Sequence, residues 1–287
     1  MSRKALFALL GCVIFAGLLQ AGRAQAWRQA SVTNPSGQLI YFHQDGNCAA
    51  WTLSREGSRD IPDLAALQGV LRQAFDTWSA AGCSYIRFVE TGTSACGCSG
   101  FGYSPGGANS NLVAWCEDTW SSEFPQEAVA ITIVSYDEAD GAILDTDVAM
   151  NGTRFTFGVA QEGTCDGITD VQNTMTHEAG HMLGFNESEV DGTTMFPYTH
   201  VCDTEKRVLA ADDIAGLCAV YPVASNPGVC DSPIGGLDDC PGGCSGCATL
   251  SGEPPSRSLM MGLAAALCFL LAMAARRKFF KDDRNRF

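Results

Sequence analysis

The amino-acid sequence predicts an α+β domain built on a mixed β-sheet. Segments with strand-like composition mostly precede one principal helix, and two further segments have helical spacing. No internal repeat is visible, which argues against a solenoid or a propeller. Strands that are not interleaved regularly with helices indicate α+β rather than α/β architecture.

Five segments have the composition of strands. Residues 128–136 form a continuous apolar run, which predicts a central strand buried on both faces. Residues 143–150 alternate, which suits an exposed or edge strand. The other three predicted strands are 38–43, 83–90 and 154–159, and residues 96–111 form a Gly/Ser-rich loop.

Three segments are predicted helices, at 63–78, 170–183 and 211–221. In the second, Thr169 followed three residues later by Gln172 suggests a capping box, and Gly184 is a natural stop. In the first, large apolar residues recur at helical spacing after Pro62: Leu64, Leu67, Leu71, Phe75 and Trp78.

The ends of the chain differ in composition from its middle. Positive charge, an apolar run and Ala24-Gln25-Ala26 predict a signal peptide over residues 1–26. We expect the folded domain over 27–223, followed by a Cys/Gly/Pro-rich linker over 224–258. An apolar helix at 259–275, transmembrane or part of a sorting signal, then precedes a basic cytoplasmic tail at 276–287.

Charge and cysteine content limit the partners and the compartment. A formal net charge of −14 argues against a nucleic-acid partner. The 14 cysteines indicate disulfide bonds in an exported chain. Local pairings are Cys202 with Cys218, and a combination among Cys96, Cys98, Cys116 and Cys165; a small cross-linked tail is expected from Cys230, Cys240, Cys244 and Cys247.

The principal helix carries the residues that point to chemistry. At about 100° per residue, His177 and His181 lie on one face, while Val171, Met175 and Met182 form a separate apolar face. Two imidazoles one turn apart can bind one metal ion, and zinc is the usual occupant of His-Glu-x-x-His.

This pattern suits peptide hydrolysis. Zinc lowers the pKa of bound water to about 7 and polarises a carbonyl group. A carboxylate beside it transfers the water proton to the leaving amine. We therefore predict His177 and His181 as zinc ligands and Glu178 as the general base.

The extended motif resembles that of metzincin metalloproteases. His-Glu-Ala-Gly-His-Met-Leu-Gly-Phe-Asn-Glu, over 177–187, is similar to their pattern His-Glu-x-x-His-x-x-Gly-x-x-His. Thr-Met-Phe-Pro at 194–197 resembles their methionine turn. The segments 141–151 and 211–221 are most similar to matrixins, and the resemblance covers about residues 37–222.

The resemblance implies a metzincin-like mixed sheet with a long first helix, an active-site helix and a C-terminal helix. It places Glu187 as the third zinc ligand, with Glu replacing His. Met195 belongs to the methionine turn, and Pro197 and Tyr198 line a substrate pocket. Rival ligands are His200 and, in a gluzincin-like arrangement, Glu205; Glu189 and Asp191 also lie close to Glu187 in sequence.

Other features depart from animal matrixins or extend beyond the domain. The sequence has no propeptide with a cysteine switch and lacks the histidines of a structural zinc site. A Ca²⁺ site is a second metal hypothesis, based on Asp137, Glu138, Asp140, Asp145 and Asp147. The C-terminal segment is similar to sorting signals of myxobacterial surface proteins, with Cys244 or Cys247 as the processing point.

Two functional hypotheses follow. The first is a bacterial zinc endopeptidase that cleaves extracytoplasmic proteins or peptides, with Glu178 as general base. In this hypothesis the C-terminal helix tethers the enzyme at the cell surface or outer envelope, with release after processing. The alternative is a catalytically inactive metzincin-like module that binds partners at the surface.

Overall fold

The computed structural model describes residues 27–230, apart from residues 35, 106–108, 162–164 and 166. Three α-helices are present among these residues: α1 Leu64–Ser79, α2 Val171–Met182 and α3 Ala211–Val220. The strands, in chain order, are β1 Arg28–Gln29, β2 Ser31–Thr33, β3 Leu39–Tyr41, β4 Cys48–Ser54, β5 Arg87–Ser94, β6 Leu112–Trp115, β7 Ala130–Tyr136, β8 Ile143–Met150, β9 Phe157–Gly158, β10 Thr169–Asp170 and β11 Phe185–Asn186.

One five-stranded mixed sheet organises the domain, with strand order β5-β4-β6-β8-β7. The first four strands in this order are parallel to their neighbours, and β7 runs antiparallel to β8 at one edge. Three two-stranded pairs surround it: β1 with β11, β2 with β3, and β9 with β10. The predicted α+β class and mixed sheet are confirmed.

Helices α1 and α2 share one hydrophobic core with this sheet. Asp63 caps α1 by accepting hydrogen bonds from the N–H groups of Ala65 and Ala66. The predicted apolar faces of both helices are buried, and the Trp78 indole N–H donates to the Thr176 carbonyl at 2.7 Å. Burial of these faces, rather than helix propensity, positions α2 beneath the sheet.

Two predictions about the sheet were wrong. The continuous apolar run forms β7, which lies at the edge and is only half-buried, while the alternating segment forms β8 inside the sheet. The error has a physical cause. The polar positions Asp145 and Asp147 of β8 are buried, and the backbone N–H groups of Gly102 and of Leu112 in β6 donate to the Asp147 carboxylate.

Several boundaries also differ from prediction. Two buried strands of the sheet, β4 and β6, were not predicted, and β5 begins four residues after the predicted start. The predicted strand at 38–43 pairs with β2 outside the main sheet, and the one at 154–159 shortens to β9. Helices α1 and α3 match their predictions within about one residue at each end.

Four disulfide bonds connect distant parts of the described chain: Cys48–Cys230, Cys83–Cys218, Cys98–Cys116 and Cys165–Cys202. The predicted Cys202–Cys218 pairing was therefore wrong. Within the predicted group of four, Cys98 and Cys116 do pair, whereas Cys165 binds Cys202. Cys230 pairs with Cys48 of the domain rather than within a separate tail.

The predicted signal peptide, the apolar segment at 259–275 and the basic tail lie outside the described residues. The predicted linker and its remaining cysteines fall mostly outside them as well. Within the described part of the chain, no helix combines the length and apolar character needed to cross a membrane.

Candidate metal centre

His177 and His181 lie one turn apart on α2, and their side chains converge. Their Nε2 atoms are 3.2 Å apart. Glu187 completes the group, since its Oε1 lies 3.5 Å from each Nε2. Among the described residues, no other group of three His, Cys, Asp or Glu side chains comes close enough to share a metal ion.

The other nitrogen of each imidazole faces a backbone carbonyl. His177 Nδ1 is 2.7 Å from the Thr194 oxygen, and His181 Nδ1 is 2.8 Å from the Phe185 oxygen. A carbonyl can only accept, so each Nδ1 donates to its carbonyl, and each Nε2 is the ring nitrogen directed towards the other members of the cluster. This outer-shell arrangement orients a histidine ligand for a metal.

The donor set fits a zinc ion. Ligands at about 2.0–2.2 Å from a tetrahedral zinc are about 3.3–3.6 Å apart, close to the three separations observed. Glu187 Oε2 is also buried without a hydrogen-bond partner in the described part of the chain. A buried carboxylate oxygen without a donor is costly unless a cation lies beside it.

The electrostatics of the cluster likewise favour a cation. Burial by itself lowers the pKa of His181, but the hydrogen bond and charge of Glu187 outweigh it and raise that pKa to about 9. For Glu187, burial opposes ionisation, but the charges of His177 and His181 outweigh it and lower its pKa. The proton that His181 retains beside Glu187 therefore occupies a position that also suits a metal cation.

A sharp turn after α2 brings Glu187 back to the histidines. Gly184 has φ of +82°, and a Cβ at this position would lie 2.5 Å from the Phe42 carbonyl oxygen. The chain then forms β11, which pairs antiparallel with β1, and the Ser188 N–H donates to the Met195 carbonyl at 2.7 Å. Both sides of Glu187 are therefore held by backbone hydrogen bonds.

Glu178 lies beside this triad and is only 5 % exposed. Its Oε2 accepts a 2.7 Å hydrogen bond from the hydroxyl of Thr132 on β7. No sequence pattern pointed to Thr132, which is separated from Glu178 by 46 residues. The contact arises because β7 and α2 pack together in the fold.

The segment around Met195 forms a turn anchored to α3. The N–H groups of Thr194 and Met195 both donate to the Asp213 carboxylate, at 2.8 and 3.2 Å. Met195 is buried, and Gly180 of α2 approaches its sulfur so closely that a Cβ would lie 2.2 Å away. The turn therefore packs directly against the helix that carries both histidines.

The two predicted pocket residues follow this turn. Pro197 is partly buried, and Tyr198 is 47 % exposed. The Tyr198 ring packs edge-on against Phe196, with ring centroids 5.5 Å apart. Both residues therefore present surface that a ligand can reach.

The rival ligands do not join the triad. His200, Asp191 and Glu205 are exposed, and Glu189 forms an ion pair with Arg28 at 2.7 Å. The acids of the Ca²⁺ hypothesis also stay apart. Asp145 and Asp147 are buried together, whereas Asp137, Glu138 and Asp140 lie on an exposed turn.

A short 3-10 helix, Glu205–Arg207, stabilises the start of α2. Asp170 caps α2 by accepting from the Asn173 N–H at 2.7 Å, in place of the predicted Thr169–Gln172 box. Arg207 forms an ion pair with the buried Asp170 carboxylate. Lys206 is also buried, donates to the Phe196 carbonyl, and has its Nζ 3.4 Å from His177 Nδ1.

Comparison with known proteins identifies the family of this chain. The model of the matrixin family of peptidases, family M10, matches residues 45–222. This match supports a metallopeptidase in general. The chain belongs to the matrixin family, which normally binds zinc. A search of curated proteins found no match.

Proposed function

We propose that this protein is a zinc-dependent endopeptidase that cleaves extracytoplasmic proteins or peptides. The single observation that carries the proposal is the convergence of His177, His181 and Glu187 beside the buried carboxylate of Glu178. Membership of a peptidase family supports it.

Three side chains of this site would hold the zinc ion: His177 and His181 through Nε2, and Glu187 through a carboxylate oxygen. Zinc, when bound, acts as a Lewis acid that polarises the scissile carbonyl and acidifies water. A carboxylate is a competent third ligand in hydrolytic zinc sites. With this carboxylate in place of a third imidazole, the net charge of the zinc site is lower by one unit.

Glu178 is the proposed general base. Its carboxylate takes a proton from the attacking water and then donates that proton to the leaving amine. Glu178 follows His177 in the chain, but its carboxylate is not one of the three ligand atoms that converge. This placement suits a base that acts on water and does not bind the metal. Met195 packs against α2 through its contact with Gly180 and so supports this helix.

The edge of the sheet offers a place for the substrate. Within the described residues, β7 pairs only with β8, so its outer backbone groups remain open to an extended peptide. Strand addition of this kind supplies affinity with little side-chain selectivity. Pro197 and Tyr198 then contribute to the pocket for a neighbouring substrate side chain.

The compartment follows from the cysteines. Four disulfide bonds among the described residues indicate an oxidising environment. We propose export by the segment 1–26 and retention at the cell surface by the segment 259–275, with protein substrates met outside the cytoplasm.

Two substitutions in the full chain test the site. We expect Glu178→Gln to retain one zinc per chain and to lose at least about 1000-fold in peptide hydrolysis, since the base is removed but the ligands stay. We expect Glu187→Gln to lose zinc affinity by more than about 100-fold, since a first ligand is weakened. Zinc content is measured by atomic spectrometry and hydrolysis with a casein substrate.

The alternative role as an inactive binding module makes a different prediction. In that case the zinc-loaded wild-type chain would leave casein intact, and Glu178→Gln would change nothing. Full hydrolysis by Glu178→Gln would instead refute the assigned general base, and full zinc retention by Glu187→Gln would refute the third ligand.

A further inference from the structure

We infer that Thr132 is a positioning residue that holds the carboxylate of Glu178 in its working orientation. The inference rests on the proposed peptidase function and deepens it. It concerns a hydroxyl on the edge strand of the sheet, outside the metal-binding motif.

The contact is short and specific. Thr132 Oγ1 lies 2.7 Å from Glu178 Oε2 and 3.3 Å from the Glu178 backbone oxygen. The hydroxyl has one proton, and the charged oxygen at the shorter distance is the better acceptor. Among the described residues, this is the only hydrogen bond to the Glu178 carboxylate.

The position of Thr132 in β7 indicates that its hydroxyl has a specific role. Thr132 stands directly opposite Val148 of β8, which is fully buried in the core shared with α1 and α2. Its neighbours Ile131 and Ile133 are apolar, and valine would satisfy both the strand and the core. A polar side chain on this inner face requires a partner, and Glu178 is that partner.

The hydrogen bond from Thr132 also gives the two carboxylate oxygens of Glu178 different roles. Oε2 is occupied by the Thr132 hydroxyl, while no described residue donates to Oε1. Oε1 is therefore the oxygen that can accept a proton from water. Without the tether, the side chain can rotate, and the fraction of molecules with a correctly aimed base falls.

The experiment compares Thr132→Val with Thr132→Ser in the full, zinc-loaded chain. We expect Thr132→Val to lower kcat about 10-fold, with KM within about twofold and zinc content unchanged. We expect Thr132→Ser to recover most of kcat, because it restores the hydroxyl. Equal losses in both variants, or no loss in Thr132→Val, would overturn the inference.

Thr146→Val provides the matched control. Thr146 lies on the same inner face of the neighbouring strand β8, and its buried hydroxyl has no hydrogen-bond partner among the residues that the structure describes. The same loss of a hydroxyl there should leave kcat unchanged. A comparable fall in kcat in Thr146→Val would show that the effect comes from the strand and not from Glu178.

A double-mutant cycle with Glu178→Ala, which removes the oxygen that accepts from the Thr132 hydroxyl, separates this hydrogen bond from other roles of Thr132. On the zinc-free chain, the loss of Tm in the double variant should be smaller than the sum of the single losses. Additive losses would mean that the two residues do not interact. This readout needs no turnover, so an inactive wild-type enzyme would refute the proposed function while leaving the contact itself tested.

Discussion

At the scale of single residues, the most unusual feature away from the candidate metal centre is a buried pair of acids on β8. Asp145 and Asp147 are each at most 2 % exposed. Burial, followed by the charge of Asp147, raises the pKa of Asp145 to about 9, and burial raises that of Asp147. The two carboxyl groups therefore retain a shared proton at neutral pH.

This pair makes stability depend on pH. The folded pKa of Asp145 lies above its unfolded value, so the folded state binds more protons, and stability falls as pH rises from about 4 to 9. We expect Asp145→Asn to reduce this decline and to exceed the wild type by at least about 1 kcal/mol at pH 9. Urea unfolding at pH 5, 7 and 9 measures it.

The exposed Glu123→Gln serves as the control for loss of one negative charge. It should follow the wild-type curve at all three pH values. If Asp145→Asn also followed the wild type, the pair would not hold a proton in the folded state.

At the scale of elements, the position of α2 depends on close approaches at glycine. Gly180 faces Met195 and Trp78, so that a Cβ would lie 2.2 Å from the Met195 sulfur and 2.8 Å from Cζ2 of Trp78. On the other side, β1 pairs with β11 immediately before Glu187. The helix, the methionine-containing turn and the N-terminal strand therefore hold the candidate metal centre together.

Two helical glycines test this arrangement with the same chemical change. We expect Gly180→Ala to destabilise the protein by about 1–3 kcal/mol and to weaken zinc binding, because the methyl group displaces Met195 or α2. At Gly69 of α1, an added Cβ would meet no atom of the described residues within 4 Å. Gly69→Ala should therefore stabilise by up to about 1 kcal/mol through helix propensity.

Chemical denaturation measures both stabilities, and competition with a chromogenic chelator measures zinc affinity. A Gly180→Ala protein as stable as Gly69→Ala would contradict the tight packing between α2 and Met195.

At the scale of the whole molecule, disulfide bonds join the end of the domain to its beginning. Cys83–Cys218 spans 135 residues and ties α3 to the chain before β5, and Cys48–Cys230 spans 182 residues. Cys98–Cys116 closes a segment of only 18 residues. Cross-links over long segments restrict the unfolded chain most.

Loss of a long cross-link should therefore cost more than loss of a short one. We expect Cys83→Ser with Cys218→Ser to lower the free energy of unfolding by about 2–5 kcal/mol. The matched pair, Cys98→Ser with Cys116→Ser, should lower it less. Urea unfolding under non-reducing conditions compares them, and an equal or larger loss in the short pair would contradict this ranking.

Local sequence was sufficient to predict much of the candidate site. The spacing of His177 and His181 places both on one face of any helix, and the apolar positions of α2 identify the face that is buried. The glycine at 184 predicted a turn, which leads the chain to Glu187. These features depend on near neighbours in sequence, so helical geometry alone relates them.

The sequence by itself therefore determined the α+β class, the helices and the histidine pair with its adjacent carboxylate. Only the tertiary structure decided the order of the strands, the disulfide partners, the contact of Thr132 with Glu178 and the burial of Lys206. The physical reason is distance along the chain. Hydrophobic patterning predicts that a strand is buried. Which strands become its neighbours depends on the packing of the whole core, between residues that lie dozens of positions apart in the sequence.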